Sequence, residues 1–182
     1  MTRPSSSDAV RPPALLSIAL CLALSACGGG SDPVEPAVPR LLHDEATHGP
    51  LPFSLVDLSA TDLARITFTL PEGRSVVRGS SSAGERFLVR LDAALSLREV
   101  AVSFVNQSAN NDHVLQILPY PFSGVGGIFV VTPMATTGTQ AFTVPVGDAS
   151  LGAGVFEVYS GTSVSGPPQE NTFSLTFVVA RR

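Results

Sequence analysis

The sequence predicts an all-β fold, a single antiparallel β-sandwich, and three observations predict it. Apolar and polar residues alternate in short runs, the period of a strand with one face buried. Clusters of Gly, Pro, Ser and Asn separate these runs at roughly regular intervals, and the 182 residues hold 16 Gly and 15 Pro for such turns. Helix signals are nearly absent.

Taken in order, the runs begin after an irregular stretch from Leu41 to Asp62, where Pro50 and Pro52 argue against a long helix. Ile66, Phe68 and Leu70 then alternate with Arg65, Thr67 and Thr69, and Pro71-Glu72-Gly73 makes a turn. Phe87, Val89 and Leu91 alternate with Arg86 and Arg90, and Val100, Val102 and Phe104 with Glu99, Ala101 and Ser103. Shorter apolar runs follow at Val114–Leu118, Gly127–Thr132, Ala141–Val146 and Val155–Ser160. The clearest run is the last, where Phe173, Leu175, Phe177 and Val179 share one face. Ala60–Ala64 and Ala93–Leu97 could each make one helical turn, and neither is long enough to carry a core. A transmembrane barrel is the poorer reading: it needs aromatic girdles and longer strands, and this chain has no Trp and two Tyr.

The N-terminal part is organised around Leu24-Ser25-Ala26-Cys27. Arg3 and Arg11 precede eleven uncharged residues, Ala14 to Leu24, a length that suits a signal peptide and falls short of a bilayer span. Leu, two small residues and a cysteine resemble the lipobox of bacterial lipoproteins. That resemblance implies a signal peptide over residues 1–26, cleavage before Cys27 and lipid on its thiol. It also implies outer-membrane anchoring, because Gly28 stands where Asp would signal inner-membrane retention. Residues 27–40, with Gly28-Gly29-Gly30 and then Pro33, Pro36 and Pro39 at the polyproline period, read as a tether. Residues 41–182 are left for the β-sandwich.

Asp148 to Val158 resembles the turn into the penultimate strand of immunoglobulin-like domains, which implies an immunoglobulin-like sandwich. Phe156 stands where that family has its corner Tyr, and Val158 where it has Cys. The corner hydrogen bond and the disulfide are therefore not expected. Cys21 leaves with the leader, so the core must hold without a disulfide.

Charge excludes one class of partner. The leader removes Arg3, Arg11 and Asp8, leaving 9 Arg against 14 acidic residues and no Lys. A net charge of −5 with no basic run beyond Arg181-Arg182 offers no footprint for nucleic acid.

Candidate sites are few. His43-Asp44-Glu45-Ala46-Thr47-His48 is the densest group of metal-ligand types. Its histidines are five apart, about 140° on a helix, so they miss the shared face of a His-Glu-x-x-His motif. On an irregular segment His43, Glu45 and His48 could converge on Zn²⁺ or Cu²⁺; otherwise this is a solvated stretch. Asn106 to His113 is a polar loop without the spacing of a calcium loop. No Gly-x-Ser-x-Gly elbow accompanies His113, and Gly124-Val125-Gly126-Gly127 precedes a strand where a dinucleotide loop would follow one. No catalytic constellation and no cofactor motif emerges. The expectation is a non-enzymatic envelope domain that binds a protein or glycan or serves as a structural accessory; the alternative is a small-ligand or metal-binding lipoprotein.

Overall fold

The computed structural model describes residues 38–80, 84–107, 111–122, 124, 126–134, 137–147, 151, 153–162 and 171–182. The leader, the lipobox and most of the tether lie outside these residues. Ten strands occur among them: β1 Arg40–Asp44, β2 Thr67–Thr69, β3 Gly73–Ser80, β4 Glu85–Leu91, β5 Leu95–Asn106, β6 Asn111–Pro119, β7 Ile128–Met134, β8 Gly138–Pro145, β9 Gly154–Thr162 and β10 Thr172–Arg181. Two short helices, α1 Glu45–His48 and α2 Ala60–Arg65, join β1 to β2. None of the described helices is long and apolar enough to cross a membrane.

The strands form two five-stranded sheets, ordered β1-β3-β10-β5-β8 and β2-β4-β9-β6-β7. They pack as a sandwich, as the alternation predicts. Phe87, Val89 and Leu91 from β4 meet Leu175, Phe177 and Val179 from β10 in one core, with Leu115, Ile117 and Val158 beside them. Phe87 lies edge-on to Phe177 across the two sheets, 6.3 Å between centroids.

The sheets are mixed where purely antiparallel ones were expected. β1 runs parallel to β3, and β2 runs parallel to β4. The cause is the route of the chain. β1 reaches β3 by way of β2 in the other sheet, and β2 reaches β4 by way of β3. A strand that leaves its sheet and returns through a long connection can come back parallel, whereas tight hairpins force antiparallel pairing.

Three further elements depart from expectation. The stretch from Leu41 is not irregular at its start, because β1 and α1 occupy it. Asp44 caps α1 by accepting from the Ala46 N–H at 3.1 Å. Ala93–Leu97 forms no helical turn: the Leu95 N–H bonds the Asp92 carbonyl, and β5 starts at once with Leu97 in the core. Strand β3 was hidden because its inward positions Ser75, Val77 and Gly79 do not read as an apolar stripe. The bare Gly79 leaves room for the Glu85 carboxyl; a Cβ there would collide with that carboxyl and sit 2.9 Å from the Phe173 ring.

Candidate functional site: the outer face of the second sheet

Sheet register sets the outward side chains of β4, β9, β6 and β7 in rows. Inward residues on these strands are Phe87, Phe156, Val158, Leu115 and Ile117, so their neighbours in sequence face outward. Arg86 pairs with Tyr159, Tyr159 with Gln116, and Gln116 with Phe129. One row therefore reads Arg–Tyr–Gln–Phe across four strands. Beyond β4, the Arg86 N–H bonds the Pro52 carbonyl, which brings the exposed Phe53 segment to the same end of the row.

The row is rigid at one end and apolar at the other. The Arg86 guanidinium lies 4.5 Å from the centroid of the Tyr159 ring. It also donates to the Phe53 carbonyl at 3.0 Å and pairs with Glu157. Three partners hold one planar cation in place. Tyr159 in turn covers Gly84 and Gly161, where any Cβ would strike its ring, and Gly84 adopts φ +74°. These glycines let the ring lie close to the sheet. Phe129 and Val131 on the edge strand β7 are 62% and 43% exposed. At ~4.8 Å per strand, Phe129 and Tyr159 stand about 10 Å apart with Gln116 between them.

Such a surface sets one exposed ring, Phe129, beside an amide and a fixed guanidinium. No protein-family model matches the sequence, and no curated protein matches it. Among solved structures the chain is similar to a CBM35 domain from Cellvibrio japonicus, with 24% identity, coverage of 56% of this chain and 71% of that one, and a TM-score of 0.37. It is also similar to the pre-peptidase C-terminal domain of a collagenase from Bacillus anthracis, at 8% identity, 63% and 94% coverage and a TM-score of 0.35. A family 16 carbohydrate-binding module matches at 9% identity, over 57% of this chain and 74% of that one, with a TM-score of 0.25.

The residues singled out in the sequence fall elsewhere. Leu24, Ser25, Ala26 and Cys27 lie outside the described residues. His43 sits on β1 and His48 at the end of α1, with ring centroids 5.3 Å apart. Five residues on one helix would set the imidazoles about 140° apart; the break between β1 and α1 brings them together instead. Glu45 does not join them, because it lines a separate cleft with Arg78, Phe104 and Phe173. Among the described residues no three His, Cys, Asp or Glu side chains form a group that could hold a metal.

His113 lies in the core, where a polar loop was expected. Its ring stacks on Phe104 at 4.8 Å, nearly parallel, and its Nε2 lies 3.1 Å from the Ser160 Oγ. A hydrogen-bonded His–Ser pair is the start of a nucleophile, but both residues are fully buried and His113 Nδ1 has no partner to orient the ring. Burial lowers the His113 pKa to about 4, so the ring is neutral at pH 7. The pair packs the sandwich.

Sequence reasoning missed Gln116, Tyr159 and Phe129 as a set. Their signal was present as aromatic and amide residues in the outward phase of separate strands. Only strand register shows that they share a row.

Proposed function

We propose that this chain is a lipid-anchored envelope protein whose β-sandwich binds glycan on the outer face of the second sheet, without catalysing a reaction on it. The observation that carries the reading is the Arg86–Tyr159–Gln116–Phe129 row. Sugars offer flat C–H faces and a dense rim of hydroxyls. The exposed Phe129 ring suits the faces, while a fixed guanidinium, an amide and a carboxylate suit the rim. Preorganisation supports this use, since Arg86 is already held by Glu157, Phe53 and Tyr159.

Electrophoresis in native gels containing a soluble β-linked glycan tests the binding. Xylan, β-glucan and soluble peptidoglycan fragments are the probes, and at least one is expected to retard the chain. Equal mobility in all of them removes the glycan reading.

The anchor belongs to the same proposal and rests on the lipobox. Cys27→Ser is expected to abolish incorporation of radioactive palmitate and leave an uncleaved precursor. Equal labelling of the variant would show that lipid is not carried at Cys27. At ~0.8 kcal/mol per buried methylene, two acyl chains hold a protein on a bilayer. The tether then stands the sandwich off the headgroups, where it meets long polymers of the envelope.

A further inference from the structure

A second feature is a cleft of about 640 Å³ lined by Leu42, His43, His48, Leu58, Asp62 and Phe68, which reaches Pro52 at the Arg86 end of the row. His43 is 6% exposed. One of its ring nitrogens bonds the Gly49 backbone, and its Nε2 has no hydrogen-bond partner. Its ring lies between those of His48 and Phe68, with centroids 5.3 and 5.6 Å away. An imidazole that donates through one nitrogen to a backbone carbonyl has its lone pair on the other. That is the arrangement in which histidines ligate metals.

His48 supplies the second arm. It is exposed, and its Nδ1 lies 3.1 Å from the Asp44 carbonyl oxygen and 2.9 Å from the Thr47 Oγ. In the tautomer whose Nδ1–H donates to that carbonyl, Nε2 keeps its lone pair. The two rings are tilted by 32° with centroids 5.3 Å apart. A metal bound at ~2.0–2.1 Å from a ring nitrogen lies about 3.2 Å from that ring's centroid. The 5.3 Å between the centroids is shorter than the roughly 6.4 Å that two such arms span, so one ion is within reach of both rings.

We propose that His43 and His48 form a two-imidazole site for a borderline-soft divalent transition ion, Cu²⁺ or Zn²⁺, in this cleft. Imidazole pairs favour these ions over Ca²⁺ or Mg²⁺, which take oxygen. Glu45 is not a ligand, because it faces the other cleft.

The test titrates Cu²⁺ into the untagged full chain in detergent, followed by electron paramagnetic resonance and equilibrium dialysis. The wild type is expected to show one site with coupling to two imidazole nitrogens. His48→Gln, an exposed change, should weaken that site at least tenfold and leave one coupled nitrogen, with an unaltered melting curve. Glu45→Gln should bind as the wild type does. Because each variant is compared with the wild type, ions held at the chain terminus cancel. Wild-type affinity and coupling in His48→Gln would overturn the proposal, as would a tenfold loss in Glu45→Gln alone.

Discussion

Phe177→Ala is expected to cost about 3–5 kcal/mol of unfolding free energy, the usual penalty for emptying a core phenylalanine site. Phe177 is fully buried, lies edge-on to Phe87 in the opposite sheet and pairs along the backbone with Ser75 and Val100. Its neighbour Thr176 faces outward between Val76 and Ala101, and Thr176→Ala should change stability by less than about 1 kcal/mol. Domains of this size have only about 5–15 kcal/mol in total, so the first change takes a large share. Urea denaturation followed by circular dichroism measures both. Removing residues 171–182 is a more severe change: β10 lies between β3 and β5, and its loss divides the first sheet. That truncation should yield no cooperative transition, and equal small effects of the two alanine changes would contradict the core assignment.

The second large effect is a pH optimum with identifiable limbs. Burial, and then the charge of Glu45, push the Glu85 carboxyl up to about 8, although backbone N–H groups of Ser80 and Leu51 offset part of it. The unfolded chain releases this proton near pH 4.5 and the folded chain keeps it. Stability from Glu85 is therefore complete below pH 4.5 and is lost as pH rises toward 8. His113 has the opposite sign: its folded pKa lies below its unfolded one, so stability is lost as pH falls from 6.5 toward 4. The two slopes cancel in the middle, and His43, shifted in the same direction as His113, adds to the acid limb. Stability should peak near about pH 6.5 and fall by about 2 kcal/mol toward pH 8, at ~1.36 kcal/mol per unit. Glu85→Gln should abolish the alkaline fall and leave the acid one. A wild type as stable at pH 8 as at pH 6.5 would show that Glu85 ionises normally.

These residues also mark how far the fold was legible in the sequence. Strands β4, β5 and β10 could be read directly because each buries one apolar face against the other sheet. The same rule failed for β3, whose inward side is Ser75, Val77 and Gly79. There the buried volume is filled by Glu85 arriving from the other sheet, a long-range arrangement that periodicity does not record. β1 and β2 are short edge strands, and their parallel pairing depends on the path of the chain through both layers. Local spacing placed His43 and His48 too far apart because a strand–helix break, absent from any single-helix reading, turns the chain between them. The glycan row was unreadable for a different reason. Each member occupies an ordinary outward position, and only the pairing of β4, β9, β6 and β7 makes them neighbours.

Glycan binding by the row can be read from a set of single substitutions. Dissociation constants for the retarding glycan are compared in the wild type, Tyr159→Ala, Phe129→Ala and a control, Ser174→Ala, on the outward face of the first sheet. Both row variants should bind at least tenfold more weakly, about 1.4 kcal/mol or more, while melting as cooperatively as the wild type. Ser174→Ala should bind as the wild type does. Unchanged binding in both row variants, or a loss confined to Ser174→Ala, would place the glycan elsewhere on the molecule.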